Sequence, residues 1–132
     1  GKAITFGLLG DKPYLGLSGN PAAAYVGFEM LARPAIRKMR GFAEGARPVQ
    51  QATLTHGVKK RQHRRFFDRA TVLRDPETGE LLVTEATTQN SALLGTMQRA
   101  NCLLRIDEGP CELKAGDVVD VVRVDLPEDA VL

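Results

Sequence analysis

The sequence predicts an α+β chain in two parts: a strand–strand–helix piece over 1–45, then a small, mainly antiparallel β-barrel or bent-ribbon domain over 46–132. Three observations point there. Two short apolar segments lead into a helix that begins at Pro21, and a turn-rich break from Phe42 to Pro48 follows that helix. Beyond the break come five short extended runs divided by turns, the pattern of a small barrel rather than of alternating strands and helices.

Ile4 to Gly7 and Tyr14 to Leu17 read as strands, with Gly10-Asp11 supplying turn chemistry between them. Gly16-Leu17-Ser18-Gly19-Asn20-Pro21 then joins strand to helix. Asn20 is a favoured N-cap and Pro21 a favoured first helical residue, because its missing N–H would be unpaired there anyway. Such a turn leaves backbone N–H groups open to an anion, although most turns of this type merely start helices. Ala22, Ala23 and Ala24 favour the helix, which runs to about Arg40 before Gly41 stops it. Pro34 lacks a backbone donor and clashes with the preceding turn, which predicts a kink near Leu31 or two helical pieces. Arg33, Arg37, Lys38 and Arg40 are expected to complement the helix dipole. The segment from Phe42 to Pro48 reads as a hinge or linker.

Val49–Thr55, Arg64–Arg74, Leu81–Thr87, Cys102–Ile106 and Val118–Val124 are the extended runs, with Asp75-Pro76-Glu77-Thr78-Gly79 as a hairpin turn. Ala92 to Ala100 is expected to form a short helix or helical turn. The second part could fold alone, whereas the first is too small to bury its own apolar surface and needs a partner.

Composition excludes several classes. Hydrophobic residues are 43% and charged residues 26%, the balance of a packed protein, and with no Trp the core must be aliphatic. No apolar run approaches the ~18 residues that span a bilayer, so no membrane partner is expected. The N-terminus does not read as a signal peptide and lacks an initiator Met, which suggests a piece of a longer protein. Cys102, Cys111, His56 and His63 lack the spacing of a zinc site, and no metal site is expected in this stretch. Reduced thiols and a cytoplasmic location are the default.

The net charge of +2 conceals a polarised chain. Lys59, Lys60, Arg61, Arg64, Arg65 and Arg69 face Asp68 alone between His56 and Arg69, whereas eight acids oppose Lys114 and Arg123 from Asp107 onward. The basic tract, with Phe66 and Phe67 beside it, suits either a solvated turn or an anion: a phosphate, a pterin or a small oxyanion. Lys2, Arg64 and Ser91, on three separate segments, offer a mobile point charge, a planar fork and a neutral donor. Spacing alone does not bring them together.

Longer stretches are similar to a known family. Lys12-Pro13-Tyr14-Leu15-Gly16-Leu17-Ser18-Gly19-Asn20-Pro21-Ala22-Ala23-Ala24 resembles the "GKPVFGLPGNPVSA" turn of the molybdopterin molybdenumtransferases, the MoeA and gephyrin E-domain family. Phe28-Glu29 through Leu31-Ala32-Arg33-Pro34-Ala35-Ile36-Arg37-Lys38-Met39 resembles its "FELFVRPALRKL" helix, which accounts for Pro34. Gln89-Asn90-Ser91-Ala92-Leu93-Leu94 with Ala100-Asn101 resembles "QGSGxLxSLxxANG", and Lys114-Ala115-Gly116-Asp117-Val118-Val119 resembles the family's closing strand. Ser18 and Ala3 stand where the family has proline, and Asn90 where it has glycine.

The resemblance implies that residues 1–45 end a pterin-binding α/β domain and that 46–132 form the C-terminal β-barrel domain of an elongated, multi-domain homodimer. It implies insertion of molybdate into adenylylated molybdopterin with Mg²⁺ assisting, the two small molecules being the substrates. Lys2, Arg64 and Ser91 fall on the family's molybdate contacts, with Arg61 and Arg65 as alternatives to Arg64. Gly19, Asn20 and Pro21 fall on the pterin side. The family's catalytic carboxylates lie before Gly1, so this stretch alone is expected not to turn over. Two other readings stand beside it: a non-catalytic barrel that docks a protein partner, and, ranked below the small-molecule reading, nucleic-acid binding through residues 59–69.

Overall fold

The computed structural model describes residues 2–89, 95–127 and 130. The chain divides into two compact units, with the boundary between Arg47 and Pro48.

In the first unit β1 (Thr5–Leu9) and β2 (Lys12–Gly16) form an antiparallel hairpin. The connection is tighter than the residue pattern suggests: Leu9 pairs with Lys12, so only Gly10 and Asp11 make the turn. Gly10 has φ +64° and Asp11 a negative φ, the pattern of a type II′ turn, whose twist matches the flanking strands. Phe6, Leu8, Leu9 and Tyr14 stand exposed on this hairpin.

The helix predicted from Pro21 breaks into three pieces: α1 (Pro21–Gly27), a π-helical turn (Phe28–Ala32) and α2 (Arg33–Met39). The Arg33 N–H donates to the Phe28 carbonyl, five residues back. This wider turn is the physical answer to Pro34, whose ring would clash with the Met30 carbonyl in a regular helix. Asn20 stands at the N-cap with extended φ and ψ, yet its side chain makes no capping bond; its carbonyl accepts the Ala24 N–H at 2.8 Å.

Arg37 and Lys38 stand in the last turn of α2, as the dipole reading expects, but Arg33 and Arg37 do more than complement it. Both are buried. Arg33 donates to the Gly45 carbonyl at 3.3 Å and Arg37 to the Glu44 carbonyl at 3.1 Å. Glu29, 5% exposed, takes a two-pronged contact from Arg47 at 2.8 and 3.3 Å. The stretch read as a hinge is therefore tied back onto the helix as far as Arg47. Gly45 is required there, since a Cβ would lie 2.9 Å from the Pro34 carbonyl oxygen.

The second unit is a closed barrel in the order β3 (Val49–Leu54), β6 (Leu81–Glu85), β5 (Phe66–Arg74), β7 (Cys102–Ile106) and β9 (Val118–Arg123). All five predicted runs are present, trimmed by a residue or two at most. The pairs are antiparallel except β3–β6, where Thr53 and Leu54 run parallel to Leu82 and Val83 and close the barrel. Inward residues at alternate positions, among them Ala52, Leu54, Ala70, Val72, Val83, Cys102, Leu104 and Val121, make the core. Leu103 and Val122, neighbours across β7–β9, are buried as well, which explains why β7 is apolar without alternation.

A separate two-stranded ladder pairs β4 (Val58–Lys60) with β8 (Cys111–Leu113). The extended runs did not include it. Val58 enters the core, and Cys111 and Leu113 pack against it. The helix expected over Ala92–Ala100 is seen as α3 (Gly95–Arg99); residues 92–94 lie outside the described residues.

Candidate functional site

The basic tract does not stand out as six solvated cations. Period-two alternation along β4 turns Val58 and Lys60 inward and leaves Lys59 exposed opposite Glu112. Lys60 is only 3% exposed, and Arg69 only 4%. Phe66, which flanks the tract, packs against the barrel core.

The Lys60 ammonium donates to the carbonyls of Arg64 and Asp107 and lies 5.3 Å from the Phe66 ring centroid. Arg65 is engaged too: its guanidinium donates to Glu108 at 3.1 Å and lies 3.8 Å from Asp107. What remains of the tract is Lys59, Arg61 and Arg64, exposed and with no ion pair among the described residues. Of the three arginines weighed for one anion contact, Arg65 is thus already neutralised. Arg64 has a fixed backbone and an open side chain.

Beside this loop lies a carboxyl pair that the sequence reading did not single out. Asp68 and Glu85 share a side-chain hydrogen bond. Burial raises both, and the Asp68 charge pushes Glu85 further, to about 7, while Arg69 and Lys60 pull Asp68 the other way. The pair therefore keeps a proton to a higher pH than an ordinary carboxyl would. Two carboxyls sharing a proton do not make a divalent-cation site, and among the described residues no cluster of three or more acidic, His or Cys side chains could hold a metal. Among the described residues Mg²⁺ therefore finds no fitting ligand set.

Two motif residues turn out to be structural. The Gln89 amide exchanges two 2.9 Å hydrogen bonds with the backbone of Arg69, and the Asn101 amide exchanges two with Val72, at 2.7 and 2.8 Å. Of the other expected site residues, Lys2 is exposed ahead of β1, and Gly19, Asn20 and Pro21 are exposed at the start of α1. Ser91, with Asn90 before it, lies outside the described residues.

The fold and motifs define a small closed β-barrel domain preceded by a hairpin-and-helix unit. The chain belongs to the MoeA family: residues 51–124 match the MoeA C-terminal region (domain IV). It is 33% identical over 126 residues to molybdopterin molybdenumtransferase 1 of Mycobacterium tuberculosis, covering 92% of this chain and 30% of that protein. It is 30% identical over 122 residues to molybdopterin molybdenumtransferase of Staphylococcus aureus, covering 92% and 29%. The crystal structure of the molybdopterin biosynthesis MoeA protein from Pyrococcus horikoshii superimposes with a TM-score of 0.74 at 26% identity, covering 93% of this chain and 29% of that one. The chain thus spans about 30% of the length of the curated relatives it matches.

Proposed function

We propose that this chain is the C-terminal part of an enzyme that inserts molybdate into adenylylated molybdopterin, yielding molybdenum cofactor and AMP. Arg64 is the barrel's contact to the oxyanion. The single observation behind that assignment is the exposed Arg64 guanidinium, free of any ion pair among the described residues, on a backbone fixed through its own carbonyl.

Molybdate is a tetrahedral dianion. For two dithiolene sulfurs to replace oxide, the anion must be held still and its charge partly offset while oxide leaves as water. A guanidinium fork suits that geometry and contributes roughly 1.5–3 kcal/mol per charge-assisted bond. Lys2 and Ser91 are assigned as further oxyanion contacts, and Gly19, Asn20 and Pro21 as pterin contacts, by their places in the family's motifs. The homodimer, the cytoplasmic location and the dependence on Mg²⁺ belong to the same reading. The first unit is assigned as the end of the pterin-binding α/β domain, and the 132-residue chain alone forms no cofactor.

Titration calorimetry with tungstate, a molybdate stand-in of the same charge and shape, tests the assignment. Arg64→Ala should weaken binding about tenfold or more, and Lys59→Ala less than about threefold. Equal affinities for the wild-type chain and Arg64→Ala would remove Arg64 from the site.

A further inference from the structure

Lys60 is buried without an ion pair among the described residues. A lysine so placed gives up hydration that an apolar side chain of similar volume would not miss. Its two acceptors show what the ammonium does there. One is the carbonyl of Arg64, four residues on; the other is the carbonyl of Asp107, after β7. The ammonium therefore joins the 61–65 loop to the turn between β7 and β8. Two further contacts join the same segments. The Gly109 N–H donates to the His63 carbonyl at 2.9 Å, from a turn with φ +88° at Gly109, and Arg65 reaches Glu108. Arg64 is thus held at its own carbonyl and at both neighbouring residues, and its side chain alone is left open.

We infer that Lys60 is a positioning residue: by clamping the Arg64 carbonyl to the 107–109 turn, it presets the Arg64 guanidinium for a tetrahedral oxyanion. The inference rests on Arg64 being the oxyanion contact. Presetting matters because a loop ordered only on binding charges its ordering entropy against affinity.

The test uses the 132-residue chain, tungstate as probe, and Lys60→Met, Arg64→Ala and the double variant. Lys60→Met should weaken tungstate about five- to tenfold, and the double variant should bind within about twofold of Arg64→Ala, since Lys60 acts only through Arg64. Amide exchange at Arg64 and Gly109 should quicken in Lys60→Met. If Lys60→Met keeps wild-type affinity while Arg64→Ala loses it, the positioning role is wrong and the Arg64 assignment stands. If Arg64→Ala binds as the wild type does, or if neither binds, the Arg64 assignment fails and takes the inference with it.

Should Lys60→Met not fold, the wild-type chain decides by NMR. A buried ammonium on two carbonyls exchanges slowly enough to observe, and its resonance should move along the tungstate titration together with Arg64 Nε. Movement of Arg64 Nε with the Lys60 ammonium unmoved overturns the inference.

Discussion

Asn101 completes the edge of β5 at Val72: the Val72 N–H donates to Asn101 Oδ1 at 2.7 Å, and Asn101 Nδ2 donates to the Val72 carbonyl at 2.8 Å. Strand β7 pairs with β5 only as far as Ala70 and Cys102, so Val72 would otherwise face that edge with both groups unpaired. The side-chain amide stands in for the missing residue of the ladder. Gln89 adds to the opposite edge, where β6 ends at Glu85: it accepts the Arg69 N–H and shares the Arg69 carbonyl with the Ala86 N–H.

Removing that stand-in leaves two backbone groups of a core strand unsatisfied. Asn101→Ala is expected to cost about 2–4 kcal/mol, and Asn101→Asp, which sets a carboxylate oxygen against the Val72 carbonyl, at least as much. Urea unfolding followed by far-UV circular dichroism measures both. A loss below about 0.5 kcal/mol for Asn101→Ala would show that water replaces the amide.

The place of these two residues in the chain explains how much the sequence made legible. Gln89 and Asn101 are legible as parts of family motifs, but no periodicity tells that their amides belong to ladder positions 20 and 29 residues earlier. The five barrel runs were legible because each has strong β-formers bounded by turns. Pro34 announced a break in the helix, and the π turn is the form that break takes. The β3–β6 pairing was hidden because parallel contacts this short depend on barrel closure, a property of no local segment. Lys60 was hidden in a basic run. Its only signal was the Val58–Lys60 alternation, three residues long, too short to separate an inward lysine from a solvated one.

The Asp68–Glu85 pair makes stability fall as pH rises. Glu85 titrates near 7 in the folded chain against an ordinary value of 4.5, so between those values the folded state binds more protons than the unfolded state. The contribution is complete below about 4.5 and is lost as pH climbs through 7. Glu85 is partly exposed, so solvent screening reduces the effect to about 1–2 kcal/mol. The chain should melt several degrees higher at pH 5 than at pH 8. Asp75, held below the ordinary range by the Glu77 N–H, acts in the opposite sense at still lower pH. Glu85→Gln keeps a donor for Asp68 but cannot titrate, and its melting temperature should be nearly flat from pH 5 to 8. Equal slopes in the two proteins would sink the assignment.

The two thiols should behave differently. Cys102 is fully buried in the barrel core, and burial pushes its thiol up to about 12 despite the nearby Arg123. At pH 8 it holds almost no thiolate, the reactive form, and no reagent reaches it. Cys111, half-buried on β8, is the accessible one. A colorimetric disulfide reagent should therefore modify Cys111 in the native chain and Cys102 only as the barrel unfolds. Native modification of Cys102, located by peptide mass spectrometry, at a rate above global opening would contradict the packing.

Glu29 is the charge on which the first unit turns. Its carboxylate receives Arg47 through two nitrogens, lies 3.9 Å from Arg33, and is itself buried. With the carboxylate gone, the two arginines lose their shared counter-charge, a change that costs about 3–5 kcal/mol when a buried pair is broken from one side. Glu29→Ala should therefore release the 44–47 stretch from the helix and expose it to trypsin at Arg47. The barrel has its own core and should keep its amide protection, because distant sites add rather than couple. Limited proteolysis with hydrogen exchange resolved by residue separates the two effects. If Glu29→Ala leaves Arg47 as resistant as before, the arginine contacts to Glu44 and Gly45 suffice to hold the stretch, and the ion pair is secondary. If protection falls in both units together, the boundary at Arg47 and Pro48 does not divide cooperative folding.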